Sequence, residues 1–256
     1  MSRAGVLSAV FLAASVSTTA RAQEGRAGGR GAGDADACFV KAEELFNRGS
    51  YEGAANSYKK AALLRPDYGP AHNGVCVSLY HLGQLEGAAR ACRRALDLQP
   101  RSPLARRNMG RVLQGLGRLE EAVEQFQEAA RLKPDYDEAY YRLGEAYRGL
   151  GRDEEAARAF REAVGLKPDD AVSHNNLGVT YYMLGRYAEA VAALERALRL
   201  RPDLAEGYCN LGYVYVALGK KEAALKQYQQ LKSLDPDQAS ALLRLIYKDR
   251  VVDARR

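Results

Sequence analysis

The chain has 256 residues, 47% of them apolar and 27% charged, with a formal net charge of +6. That composition is ample for a sizeable core, in one or two compact domains or a longer repeat array, and excludes a mini-fold that depends on stapling. Lys and Arg are interspersed with Asp and Glu rather than clustered, so no nucleic-acid partner and no membrane-surface patch are expected.

The N-terminus opens with the basic Met-Ser-Arg, continues through the thirteen-residue apolar run AGVLSAVFLAASV, and reaches small residues at Ala20-Arg21-Ala22. This pattern predicts a secretory signal peptide over 1–22, cleaved between Ala22 and Gln23, and hence an exported protein, periplasmic or secreted. An uncleaved N-terminal anchor and an organellar transit peptide are the alternatives, the latter because the leader holds Arg and Ser but no acid. Loss of Arg3 and Arg21 with the leader lowers the net charge to +4. No other segment approaches the roughly 20 apolar residues of a transmembrane helix, so no transmembrane span is expected. No Cys follows the apolar run to offer a lipid attachment point.

Residues 23–34 are so rich in glycine that they read as a flexible linker. A phosphate-cradling role for these glycines lacks the flanking strand and helix that such a loop requires.

From residue 35 onward the chain matches itself. Pro66, Pro100, Pro134, Pro168, Pro202 and Pro236 recur every 34 residues without insertion, which signals stacked units. The same shift brings RRNMGRVLQGLGRLEEA (106–122), YYRLGEAYRGLGRDEEA (140–156), HNNLGVTYYMLGRYAEA (174–190) and YCNLGYVYVALGKKEAA (208–224) into register. With Tyr140, Leu143, Gly144, Tyr147, Ala156, Phe160, Ala163 and Pro168 at their set offsets, the chain resembles the tetratricopeptide repeat family.

The resemblance covers six units, 35–68, 69–102, 103–136, 137–170, 171–204 and 205–238. It implies an all-α, right-handed superhelical solenoid of antiparallel helix pairs. Units one and two depart from the pattern: Cys38 and His72 replace the opening aromatic, Lys41 the leucine, and Ala42 and Cys76 the glycine, so the N-terminal end should be looser.

Gly144, Gly178 and Gly212 fall opposite Ala156, Ala190 and Ala224, which suggests two backbones in close approach with no side chain between them. Gly117, Gly151, Gly185 and Gly219 sit just past the first helix of their units, where a left-handed cap favours glycine. Each proline closes a unit. Residues 239–256 then read as a capping helix with a basic tail: Leu242, Leu245 and Ile246 are spaced for one buried face, while Arg244, Lys248, Asp249, Arg250, Arg255 and Arg256 face solvent. The domain should end there, with no catalytic domain appended.

No HExxH, GxSxG, phosphate-loop or CxxC pattern occurs, so neither an enzyme, a metal site nor a cofactor is expected. His72 and His174 occupy the opening position of their units and should pack there; His81 points toward the inner surface without a partner of catalytic type. Cys76 and Cys92 take the positions of the facing glycine and aromatic. Buried apolar thiols are the preferred reading, and a disulfide is the alternative that an oxidising compartment favours. Cys209 should face the groove unpaired.

Function then rests on the concave surface that successive first helices build. Asn108, Arg142, Asn176 and Asn210 form a row one place before the leucine position, with Gly74 in unit two and Asn175 beside Asn176. An Asn amide can pair with both the N–H and the C=O of an extended peptide. Arg107, Arg111, Arg142 and Arg148 gather at the middle, and Tyr182, Tyr213 and Cys209 line the later part, which suits a protein or peptide ligand with an acidic stretch followed by apolar or aromatic residues. The plain alternative is that the Asn row belongs to the family pattern and the arginines only solvate their helices. The expected function is a non-catalytic scaffold or adaptor of the bacterial envelope; the alternative is an accessory subunit that recruits substrate to an exported or membrane-bound enzyme.

Overall fold

The structure is a computed structural model that describes residues 31–247. The leader, residues 23–30 of the linker and the tail beyond Tyr247 lie outside the described residues. Thirteen helices and no strand occur among those described. They form six antiparallel pairs: α1 (Gly31–Asn47) with α2 (Tyr51–Leu64), α3 (Gly69–His81) with α4 (Leu85–Leu98), α5 (Pro103–Gly115) with α6 (Leu119–Leu132), α7 (Asp137–Gly149) with α8 (Asp153–Leu166), α9 (Ala171–Met183) with α10 (Tyr187–Leu200), and α11 (Ala205–Ala217) with α12 (Lys221–Leu234). A thirteenth helix, α13 (Pro236–Ile246), closes the C-terminal end. The pairs stack as a right-handed superhelical solenoid.

Each first helix ends in the same turn. Gly49, Gly83, Gly117, Gly151, Gly185 and Gly219 all adopt φ between 69° and 77°, the left-handed region where a side chain would be strained. The residue after each glycine donates its N–H to a carbonyl five residues back, as from Arg118 to Leu113 and from Arg152 to Tyr147, both at 2.9 Å. Orphan carbonyls at the helix end are thereby satisfied, and the chain reverses within a few residues.

The second helices stop two residues short of the prolines, and the turn that follows is locked from the next unit. His72, His174 and Tyr208 each reach back to the carbonyl of the proline six residues earlier, at 3.1 Å, and Arg106 does the same to Pro100. Both histidines are half-buried hydrogen-bonding groups in these turns, so their place in the fold is a polar lock as well as a packing position.

The glycine near the middle of the first helix in units three to six makes room chiefly for a side chain. A Cβ on Gly144 would lie 2.8 Å from the Phe160 ring, and one on Gly110 would lie 2.6 Å from the Phe126 ring. Gly178 is covered in the same way by Leu194, with the Ala190 backbone carbonyl also 3.3 Å from where its Cβ would lie, and Gly212 by Leu242 of α13. Each glycine therefore makes room for one large side chain, because an apolar group that fills the gap gains burial that bare backbones would forgo. Phe126, Phe160 and Leu194 are fully buried, as are Ala156, Ala190 and Ala224. In unit two this pair is Cys76 and Cys92. The structure joins them in a disulfide with a Cα–Cα distance of 5.1 Å, not as the two thiols preferred from the sequence. Where units three and four place glycine and a ring, two short side chains meet and bond.

Two boundaries and the placement of two side chains differ from the expectation. Helix α1 begins at Gly31, inside the expected linker, because Ala35 is fully buried and Arg65 holds the helix start by bonding the Ala32 carbonyl and the Asp36 carboxylate. At the other end α13 starts at Pro236 rather than at residue 239. Its buried face is Ala239 and Leu242 with Ile246 packed alongside, while Leu245 is exposed. At 100° per residue Leu245 falls well to one side of that stripe. Cys209 is buried against Leu231 and Leu242 rather than facing the groove, and it is unpaired.

Helix α13 lays Leu242 over Gly212 and seals this last cluster. A chain ending at Asp235 should expose Cys209 and Leu231, melt earlier than the full chain and aggregate on concentration. Melting by circular dichroism and light scattering measure this; an equally stable, monodisperse truncation would remove α13 from the role of lid.

Candidate peptide-binding groove

Along the stack, α1 contacts α3, α3 contacts α5, α5 contacts α7, α9 contacts α11, and α11 contacts α13; the second helices have no comparable contacts with one another. The first helices are thus crowded on one side and the second helices splayed on the other, which makes the first-helix side concave. Side chains at corresponding positions of α3, α5, α7, α9 and α11 recur along this inner surface.

The Asn row lies here, but its amides are engaged within the chain. Asn108 donates to the Asn73 side chain at 2.9 Å, and Asn210 donates to that of Asn175 at 3.0 Å. Asn176 donates to the Tyr141 hydroxyl at 3.1 Å and accepts from Arg148 at 2.9 Å. Each bond runs from one first helix to the next. Asn108 is buried, with 3% of its surface exposed, so it is not available to a ligand. An Asn inside a helix weakens it intrinsically, yet here it fastens neighbouring units, which explains its place without a bound peptide. Gly74 stands in the row because the Tyr58 ring occupies the space a Cβ would need, at 2.5 Å.

Three of the arginines, Arg107, Arg111 and Arg142, come together on α5 and α7, while Arg148 turns to Asn176 on α9. On α5, Arg107 donates to the Tyr136 hydroxyl at 2.9 Å and pairs with Glu138 at 3.2 Å. On α7, Arg142 pairs with Glu145 at 2.9 Å, and Tyr141 donates to the other oxygen of that carboxylate. Arg111 stacks its guanidinium on the Tyr80 ring, 4.6 Å from the centroid, and its buried Nε has no acceptor. Burial, then the charges of Arg107 and Arg142, hold the Arg111 pKa below its ordinary value. The Tyr141 hydroxyl is pushed up to about 12, first by burial and then by the Glu145 charge beside it.

Further along, Tyr182 and Tyr213 are half-buried. Tyr213 shares a hydrogen bond with the Cys209 thiol, which together with burial pushes its hydroxyl up to about 12. His81 is exposed at the end of α3 and stacks on Tyr51 with centroids 4.5 Å apart; desolvation and the Arg111 charge lower its pKa.

Tyr80, Tyr141, Glu138, Glu145 and Asn73 were not singled out from the sequence. The signal for three of them was present: Tyr80 falls in phase with Arg148 and Tyr182, and Asn73 and Tyr141 fall in phase with Arg107 and Asn175. Among the described residues no group of three or more His, Cys, Asp or Glu could hold a metal, and no helix is long and apolar enough to cross a membrane.

Two families described as "Tetratricopeptide repeat" match, one over residues 39–103 and 107–171 and the other over 205–238, and a third described as "TPR repeat" matches 181–219. No curated protein matches the chain in sequence. Among solved structures, the chain is similar to PilF of Pseudomonas aeruginosa (TM-score 0.72, 20% identity, covering 87% of this chain and 99% of that one). It is similar to PilW, described as a widely conserved type IV pilus biogenesis factor (TM-score 0.73, 21% identity, 82% and 98%). It is also similar to YrrB, described as a TPR protein with an unusual peptide-binding site (TM-score 0.65, 22% identity, 74% and 99%). At these identities the likeness is one of fold.

Proposed function

The chain belongs to the tetratricopeptide repeat family, and from that premise we propose that it is a non-catalytic scaffold or adaptor that holds an extended segment of a partner protein along its concave face. The observation that carries this reading is the continuity of that face: first helices touch first helices along the stack, α7 and α9 through the bonds of Arg148 and Tyr141 with Asn176, so one surface runs past several units. Such a surface suits an extended chain, whose side chains present themselves at regular intervals. It carries a basic middle and an aromatic later part, so an acidic segment followed by aromatic or apolar residues complements it.

Export with removal of residues 1–22 completes the proposal. The Cys76–Cys92 disulfide supports an oxidising compartment, and the fold likeness to a pilus biogenesis factor is in keeping with the bacterial envelope.

One experiment tests both parts. A photo-reactive residue replaces Val179, which follows Asn175 by one helical turn on α9, or Arg158, which is exposed on α8, in protein produced in its own cells. The expected outcome is a discrete cross-linked product through position 179 and none through position 158, from the envelope fraction, with the mature chain beginning at Gln23 by mass. Capture from position 158 alone would move the binding surface to the second helices, and an intact leader on cytosolic protein would overturn export.

A further inference from the structure

Resting on that reading of the groove, we propose that its centre is a subsite for a doubly negative element of the bound peptide, with Arg111 as its specificity-determining residue. Three guanidiniums, Arg107, Arg111 and Arg142, act on one another across α5 and α7, Arg148 stands further along α7, and the carboxylates that pair with these four are two, Glu138 and Glu145. Two positive charges are therefore left uncompensated.

The four are not equivalent. Arg107 is held by Glu138 and Tyr136, and Arg142 by Glu145. Arg148 has only the neutral amide oxygen of Asn176. Arg111 has the face of the Tyr80 ring and no carboxylate. Its Nε and that of Arg142 are both buried without an acceptor, so these guanidiniums on adjacent first helices are short of hydrogen-bond acceptors. A guanidinium half-removed from water beside two others is costly, and an anion that accepts from it relieves the cost. The flat Tyr80 ring fixes the plane of the Arg111 fork in advance, which reduces the ordering needed on binding.

Glu145 has the opposite role. It occupies Arg142 in the free protein and is itself held by Tyr141, so it competes with any incoming anion. Two chemical sources would supply the doubly negative element: a pair of neighbouring Asp or Glu side chains, or one phosphorylated Ser or Thr. Both present oxygen acceptors to forked donors.

The test selects ligands from a random-peptide library displayed on phage, using the mature chain. The best selected peptide is then synthesised with Glu-Glu, Gln-Gln or phosphoserine at the enriched position, and binding is read by fluorescence anisotropy. Wild type should enrich adjacent acids, and the Gln-Gln version should bind about 10- to 100-fold more weakly, as expected for lost charge-assisted hydrogen bonds. R111Q should produce a similar loss while keeping the wild-type melting curve. E145Q should strengthen binding about 3- to 10-fold, because a competing charge is removed and Gln still accepts from Tyr141. Tighter binding by phosphoserine than by Glu-Glu identifies the phosphorylated source, and the reverse order the acidic one. Enrichment of acid-free peptides, or R111Q binding like wild type, would overturn the subsite. If such peptides still cross-link through position 179 the groove reading stands, and if none do, or no peptide is enriched, the groove reading falls as well.

Discussion

Replacing Phe160 by alanine should cost about 3–5 kcal/mol of stability, the range for a fully buried ring removed from a core that cannot collapse around the gap. Phe160 fills the space above Gly144 and meets Tyr141 with ring centroids 5.8 Å apart. Losing it leaves a hole over Gly144, beside the buried Ala156 and Ala163 one turn away on the same helix. Urea unfolding followed by circular dichroism measures the loss, with the exposed Arg158→Ala as a control expected near zero. Because each unit leans only on its neighbours, hydrogen exchange should quicken most in α7 and α8. A loss below about 1 kcal/mol would mean that the ring is not the core of its unit.

Removing the disulfide should have the next largest effect. Replacing Cys76 and Cys92 by serine opens a loop whose ends are 16 residues apart, for which chain-entropy arguments give about 3 kcal/mol. Dithiothreitol added to wild type should produce a comparable loss. The pair Cys76→Gly and Cys92→Phe, which installs the filling used in units three and four, should restore most of the stability and make it insensitive to the reductant. Equal melting of wild type with and without reductant would show that the bond contributes nothing to the fold.

Much of this architecture is written in the spacing of the chain. Six prolines in one phase and glycines at two fixed offsets state where helices end and how many units there are, because those residues act through their own backbone. Side-chain partnerships are different. The facing positions of Gly144 and Ala156 were legible, but that the Phe160 ring lies over that glycine depends on how far the helices stand apart. The Asn row was legible as a row along the first helices, but its bonds within the chain were not: pairing of Asn175 with Asn210 requires two successive first helices to be in contact, which a period alone does not state. Glycine content argued for a linker through residue 34, and burial of Ala35 outweighed it from Gly31 onward. In the groove, the arginines were visible as types, while their counter-charges Glu138 and Glu145 emerged only from geometry.

Crowded first helices and separated second helices also give the molecule a mechanical character. The tight inner seam acts as the hinge line of a coil, so pulling on its ends should open gaps between the outer helices while the inner spacing changes least. A partner segment lying along that seam would keep its footing as the coil is stretched or twisted. Under load the coil should therefore yield first on its outer, second-helix side.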